Sequence, residues 1–157
     1  MLVTIRSAED RDVGLLAELN RFVLDMHVDA LPTYFKRAEQ RAVADSFRSM
    51  LERPEVQAYI ASIGDVPVGY AVVAFRERPE NALCLARRSL EIDELAVSPS
   101  HRRRGVCRAL VERALAEARS QGVSEVEVTS WVFNTDARAA FQALGFKPML
   151  LRYRHGS

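Results

Sequence analysis

Alternating apolar and polar positions over Leu2 to Arg6 predict a short strand, after which the period of the pattern changes. From about Arg11 towards Ala30, the residues Val13, Leu16, Ala17, Asn20, Val23, Leu24 and His27 recur at the i, i+3, i+4 spacing of one helical face, with Asp10 a candidate cap. Asn20 and His27 therefore fall on or beside a buried stripe, where polar groups need partners. The Leu31-Pro32 step ends this helix, because proline disfavours helical geometry at the residue before it, and Thr33-Tyr34-Phe35 follows as a loop. A second helix is predicted over Glu39 to Arg53, stopped by Pro54.

Val56 to Ile63 and Val68 to Arg76 read as strands joined through Gly64-Asp65-Val66-Pro67, an antiparallel hairpin. Glu77 to Arg88 is a loop by composition. Ser89 to Val97 predicts a strand, Gly105 to Gln121 an amphipathic helix ending before Gly122, and Glu125 to Trp131 a further strand, which together make a β-α-β unit. Asn134 or Thr135 can cap a short helix to Leu144, Gly145 fits its left-handed end, and Phe146 to Arg154 predicts a last strand. The order β-α-α-β-β-β-α-β-α-β implies an α/β fold of the α+β sandwich kind. Its central sheet should be mixed and mostly antiparallel, of about six strands flanked by about four helices.

At 157 residues the chain is long enough for one domain with a sizeable core and short for two. Its 48% hydrophobic and 27% charged residues place it among folded rather than disordered chains. A net charge of +1 gives no general attraction to nucleic acid or to an anionic membrane, so neither is an expected partner and any basic site must be local. The 2 cysteines, Cys84 and Cys107, lack metal-ligand spacing and read as reduced thiols, with no zinc or other metal site expected. No apolar run approaches bilayer length and Met1 to Arg11 has no apolar core of the kind a secretory signal requires, so a cytoplasmic location is expected.

The densest chemistry lies in Leu95-Ala96-Val97-Ser98-Pro99-Ser100-His101-Arg102-Arg103-Arg104-Gly105-Val106-Cys107, which runs from a strand end through a basic turn into a helix. The first N–H groups of a helix have no backbone partners and sit at the positive end of its dipole, so a phosphate satisfies several at once. Gly105 lets a ligand approach the backbone, and three arginines add local charge, making a diphosphate a natural guest. The plain alternative is a solvated basic turn ahead of an ordinary helix. A nucleic-acid contact is weaker, since one short cluster neutralises few phosphates.

This segment closely resembles the acetyl-CoA motif of the GNAT acetyltransferase superfamily, Arg/Gln-x-x-Gly-x-Gly/Ala, of which Arg102-x-x-Gly105-x-Cys107 matches two of three fixed positions. The later Asn134-Thr135-Asp136-Ala137 and Phe141-Gln142-Ala143-Leu144-Gly145-Phe146 resemble the family's Asn-x-x-Ala and Gly-Phe ending. The resemblance implies a single GNAT-like domain that moves an acetyl group from acetyl-CoA to a primary amine by direct attack on the thioester. It also implies that the backbone from Arg102 through Val106 and Cys107 to Arg108 holds the diphosphate. Leu95, Ala96 and Val97 would pair with the pantetheine arm like an added strand, and Asn134 would touch that arm, a role compatible with capping its helix. Cys107 stands where the family has glycine or alanine. Phe141 stands where many members have a tyrosine that protonates the departing thiolate, and its missing hydroxyl is the one feature favouring a catalytically silent acetyl-CoA sensor or scaffold. Relatives are often dimers, so a homodimer is an expectation.

An alkyl amine with a pKa of about 10.4 is ~99.9% protonated near neutral pH, so presenting its lone pair costs roughly 4 to 5 kcal/mol without a base. Leu90-Glu91-Ile92-Asp93-Glu94 offers three carboxylates. Side chains alternate, so Glu91 and Asp93 share one face and Glu94 the other unless a bulge intervenes. Glu94 ranks first as base because it adjoins the acetyl-binding backbone at Leu95, and Glu91 second. Tyr34 is an outside candidate to protonate the thiolate. The resemblance makes the first helix and the loop after it one wall of the acceptor site, with His27 and Tyr34 candidate contacts, and Trp131 with Phe133 a second wall. Core packing is the competing role for each aromatic ring, and a hydrogen-bonded core position for His27.

Overall fold

In the computed structural model, which describes residues 2–156, five strands lie in one sheet in sequence order. They are β1 (Val3–Ser7), β2 (Val56–Ile63), β3 (Val66–Arg78), β4 (Arg87–Val97) and β5 (Glu125–Val128). The first three pairings are antiparallel, β2–β3 and β3–β4 through direct connections and β1–β2 across the two helices between them, whereas β4 and β5 are parallel, with a helix crossing between them. The helices are α1 (Val13–Ala30), α2 (Gln40–Leu51), α3 (Val106–Ser120) and α4 (Thr135–Ala143). No helix among the described residues is long and apolar enough to cross a membrane.

Each face of the sheet buries its own cluster. Leu16 and Leu19 of α1 and Phe47 of α2 pack on Ile60, Tyr70, Val72 and Ala74. On the other face Leu110, Val111 and Ala114 of α3, with Phe141 of α4, cover Val73, Leu90 and Ile92. Gly69 in β3 keeps these layers close: a Cβ there would stand 2.7 Å from the Ala96 carbonyl oxygen and 3.1 Å from a methyl of Val106. Only a residue without a side chain lets the first turn of α3 settle against the end of β4.

The expected α/β sandwich forms with five strands rather than six, and the exceptions have local causes. Asp10 does not cap α1: it opens a short 3-10 turn, Asp10–Asp12, closed by Asp12, which accepts from the Glu9 N–H at 2.8 Å and from both terminal nitrogens of Arg6 at 2.8 Å, and α1 follows with no side-chain cap. The Arg6 guanidinium holds the Asp12 carboxyl down at about 2. β5 stops at Val128 rather than at Trp131. The strand expected over Phe146 to Arg154 is absent: beyond Phe146 no backbone hydrogen bond forms among the described residues, and Pro148 has no N–H to give one.

Candidate functional site

The early end of β5 shapes the site. β4 and β5 pair only from Ser89 with Glu125 to Ile92 with Val128, so Glu94 to Val97 of β4 are bonded to β3 and, among the described residues, have no strand on the other side. Leu95, Ala96 and Val97 lie in this one-sided stretch. Its backbone donors and acceptors can receive an extended amide-bearing chain as a further strand would.

A bulge decides which carboxylate faces what. β3 and β4 slip register between Val72 and Val73, opposite Glu94 and Ile92 respectively, which leaves Asp93 as the extra residue. Strict alternation would set Glu94 apart from Glu91. The bulge instead brings Glu94 to the α1 side, where Tyr70 and Ala96 also point. There the Tyr70 hydroxyl donates to Glu94 Oε1 at 2.9 Å, and Asn20 Nδ2 donates to the Tyr70 oxygen at 2.8 Å and to Glu94 Oε1 at 3.4 Å. The partner that Asn20 required on its buried stripe is thus this pair. Burial pushes the Glu94 carboxyl above its ordinary value, offset in part by the Tyr70 hydrogen bond, with nearby Asp93 adding to the rise. Burial also pushes the Tyr70 hydroxyl well above 10, so it remains a proton donor to Glu94.

Glu91 has the opposite surroundings. Arg76 Nε stands 3.2 Å from one of its oxygens and an Arg78 terminal nitrogen 3.0 Å from the other, while Arg76 also reaches Asp93 at 3.0 Å. Both oxygens of Glu91 are occupied by guanidinium groups. Tyr70 went unnoticed in the sequence because a tyrosine within a small-residue apolar strand reads as core; the one available signal was that a buried phenol needs a hydrogen-bond partner.

Beyond Val97 a short turn leads to α3. From Arg102 to Arg108 no backbone N–H finds a backbone acceptor among the described residues, the first such bond being that of Ala109 to Gly105 at 3.0 Å. Gly105 takes φ +81° at the start of α3, with open space where a Cβ would stand, and Arg103 is also left-handed at φ 62°. Successive amides in such conformations form an anion-binding concavity. Arg103 and Arg104 are exposed beside it, and Arg102 lies 3.7 Å from Asp136 of α4. Cys107 packs against the core, where burial raises its thiol, so its sulfur does not stand between a ligand and the backbone. Asn134 caps α4, accepting from the Ala137 N–H at 3.2 Å, which leaves its amide nitrogen for another contact. Phe141 is 8% exposed and packs edge-on against Phe146 at 5.9 Å, making it a core residue of α4.

The two acceptor walls expected from sequence meet as one cluster. His27 lies 4.8 Å from Phe35, 5.5 Å from Phe133 and 6.5 Å from Trp131, and Tyr34 lies 5.0 Å from Trp131. Burial pushes the His27 imidazole below its ordinary value, which keeps it neutral at pH 7, and aromatic rings rather than hydrogen bonds surround it. Tyr34 is 63% exposed and Trp131 36%, so the cluster presents an aromatic surface.

Residues 21–146 match the Acetyltransferase (GNAT) family. The chain belongs to that family. Among its relatives, N-acetyltransferase family 8 member 3 of Rattus norvegicus is 41% identical over 63 residues, covering 40% of this chain and 28% of that protein. Probable N-acetyltransferase family 8 member 5 of Mus musculus is 30% identical over 115 residues, 73% of this chain and 48% of that protein. The chain therefore spans less than half the length of these curated relatives. Of solved structures, a tetramutant of the BH1408 protein from Bacillus halodurans superposes with a TM-score of 0.93 at 19% identity, covering 98% of this chain and 99% of that one. The aminoglycoside N-acetyltransferase AAC(6')-Iy in complex with CoA gives a TM-score of 0.76 at 21% identity, over 98% and 95% of the two chains. At those identities the likeness shows the fold. Acetyl-CoA is the co-substrate of a GNAT domain, and the residues present fit it: the unbonded amides from Arg102 to Arg108 match a diphosphate, and the one-sided stretch of β4 matches an amide-bearing arm.

Proposed function

We propose that this GNAT domain transfers the acetyl group of acetyl-CoA to a primary amine, with Glu94 taking the proton that the incoming ammonium must lose. One observation carries this reading. Both hydrogen bonds to Glu94 fall on Oε1, and in a residue that is only partly buried this leaves Oε2 as the oxygen without a protein partner among the described residues. That oxygen can accept a proton directly or through one water. A carboxyl raised by burial is a stronger base than an exposed one, so it takes the ammonium proton less steeply uphill, against a deprotonation cost of about 4 to 5 kcal/mol set by an amine pKa near 10.4.

Acetyl-CoA supplies the activated acyl group: the new N–C bond replaces the C–S bond, and the thiol leaves with a pKa near the ~8.5 of cysteine. That value makes departure as thiolate feasible without a phenol at position 141. Arg102, Arg103 and Arg104 add charge beside the diphosphate amides, Leu95 to Val97 align the arm, and Asn134 offers it a side-chain amide. His27, Tyr34 and Trp131 form the aromatic wall against which the acceptor lies; an apolar or flat group next to its amine suits that surface.

The test is release of free thiol from acetyl-CoA across a panel of small amines, amino acids, aminoglycosides and peptide amino termini. Acceptor-dependent release by one class is expected. Tight acetyl-CoA binding with no acceptor-dependent release across the panel establishes the sensor reading instead.

A further inference from the structure

Two stretches far apart in the chain, the end of α1 with the loop after it and the loop after β5, bring the rings of His27, Tyr34, Phe35, Trp131 and Phe133 together. Tyr34, Phe35 and Trp131 stand 4.9 to 5.0 Å apart, centroid to centroid, in every pairing of the three, and Phe133 stacks on Trp131 at 5.9 Å and 21°. Rings at that spacing touch one another. They leave no hollow in which several faces could surround an ammonium, so the cluster is a continuous surface rather than a cation cage. Tyr34 and Trp131 are both exposed, which opens part of that surface to a ligand. A flat apolar group fits it.

Charge narrows the class further. Residues 25–37 and 129–134, which build the surface, carry the carboxylates Asp25 and Asp29 and no others. Both are bound to Arg37, at 2.9 and 3.0 Å. Each is also two residues from His27 along the helix, a rotation of about 200° that sets it on the opposite face of α1. Lys36 adds a positive charge, and burial keeps the His27 imidazole neutral at pH 7. Among the described residues of these segments no carboxylate is left to balance a second ammonium on the acceptor.

The base stands at one end of this surface. Asn20, which reaches Glu94, shares a stripe of α1 with His27, and the step from 20 to 27 is about 10 Å at the rise of an α-helix. From the other side, Val128 pairs with Ile92 just before Glu94, and the chain reaches Trp131 within one short loop. The site thus joins a proton acceptor for one ammonium to an uncharged aromatic surface. On the basis of amine acetylation at Glu94, we propose that the acceptor is an arylalkylamine, a primary amine joined by a short uncharged chain to an aromatic ring, with its nitrogen at Glu94 and its ring on Trp131 and Tyr34. The nitrogen lone pair forms the N–C bond, the C–S electron pair leaves with the CoA sulfur, and the ammonium proton goes to Glu94. The products are the N-acetylated arylalkylamine and CoA.

Two readouts on the full chain separate the acceptor class from the reaction. Trp131 is the 1 tryptophan of the chain, so its fluorescence reports contact with the surface without any turnover. Phenylbutylamine is expected to change it saturably, whereas hexylamine and spermidine at the same concentration leave it nearly unchanged. In thiol release from acetyl-CoA, kcat/KM for phenylbutylamine is expected to exceed that for hexylamine and for spermidine by about tenfold or more. Trp131→Ala is expected to lower this preference about tenfold by raising KM for the aryl amine, and Trp131→Phe to restore most of it. Fluorescence indifferent to phenylbutylamine overturns the proposal, as does a preference unchanged in Trp131→Ala. Turnover of hexylamine or spermidine at or above that of phenylbutylamine overturns it too, while leaving amine acetylation at Glu94 standing. Saturable contact with Trp131 but no thiol release with any amine sinks amine acetylation, and the acceptor with it, and leaves only an aryl-binding surface.

Discussion

From Ser89 to Ile92, β4 is bonded to β3 on one side and β5 on the other, and its carboxylate Glu91 lies between two arginines. From Glu94 to Val97 the same strand is bonded on one side only, and its carboxylate Glu94 meets a phenol and an amide but, among the described residues, no cation. Two glutamates three residues apart therefore differ in kind. The first is a cross-strand ion pair that ties the sheet; the second is a partly buried carboxyl with one oxygen free. A polar side chain becomes chemically available where the structure withholds both a neighbouring strand and a counter-ion.

The strongest way to break this comparison is Glu94→Gln. Loss of the base is expected to lower kcat by about 100- to 10,000-fold while leaving the acetyl-CoA dissociation constant nearly unchanged, a split that single-turnover kinetics and calorimetry separate. Gly105→Asp acts on the same open half through the cofactor. A carboxylate at a left-handed position beside the diphosphate amides is expected to weaken acetyl-CoA binding by about 30-fold or more, with the fold retained by circular dichroism.

Tyr70→Phe sharpens the comparison through pH. The Tyr70 hydroxyl stabilises the ionised form of Glu94, so removing it moves the Glu94 carboxyl further up. The base is lost as pH falls through that raised value, so the acid limb of the rate profile is expected to shift to higher pH; a limb shifted downwards contradicts the assignment. The smallest effect belongs to Glu91→Gln. Because Glu91 serves a partly exposed ion pair, kcat is expected to change by less than about threefold and stability by less than ~1 kcal/mol in urea titration. A large loss of kcat there, with Glu94→Gln nearly silent, reverses the ranking.

Much of this was legible along the chain. The helical stripe of α1, the β2–β3 hairpin and the βαβ unit follow from local periodicity and turn residues, which act over a few neighbouring positions. The Gly105 turn was legible because a left-handed residue ahead of an amphipathic helix leaves a mark in composition. Asn20 announced that it needed a partner without revealing that the partner was Tyr70, 50 residues away. The segment over Phe146 to Arg154 has strand-like residues, yet among the described residues it pairs with neither edge of the sheet. His27 and Trp131, expected on separate walls, lie in one aromatic cluster because the last turns of α1 and the loop after β5 converge in space.

By itself, the sequence determined the order of the elements as far as α4, the mixed α/β sandwich and the glycine turn ahead of α3, since each depends on residues close together in the chain. Only the tertiary structure decided that Glu94 rather than Glu91 stands without a cation, and that β4 runs on past the end of β5. Those outcomes depend on cross-strand register, on one bulged residue at Asp93 and on arginines from β3, and register is a relation between strands that no single strand encodes.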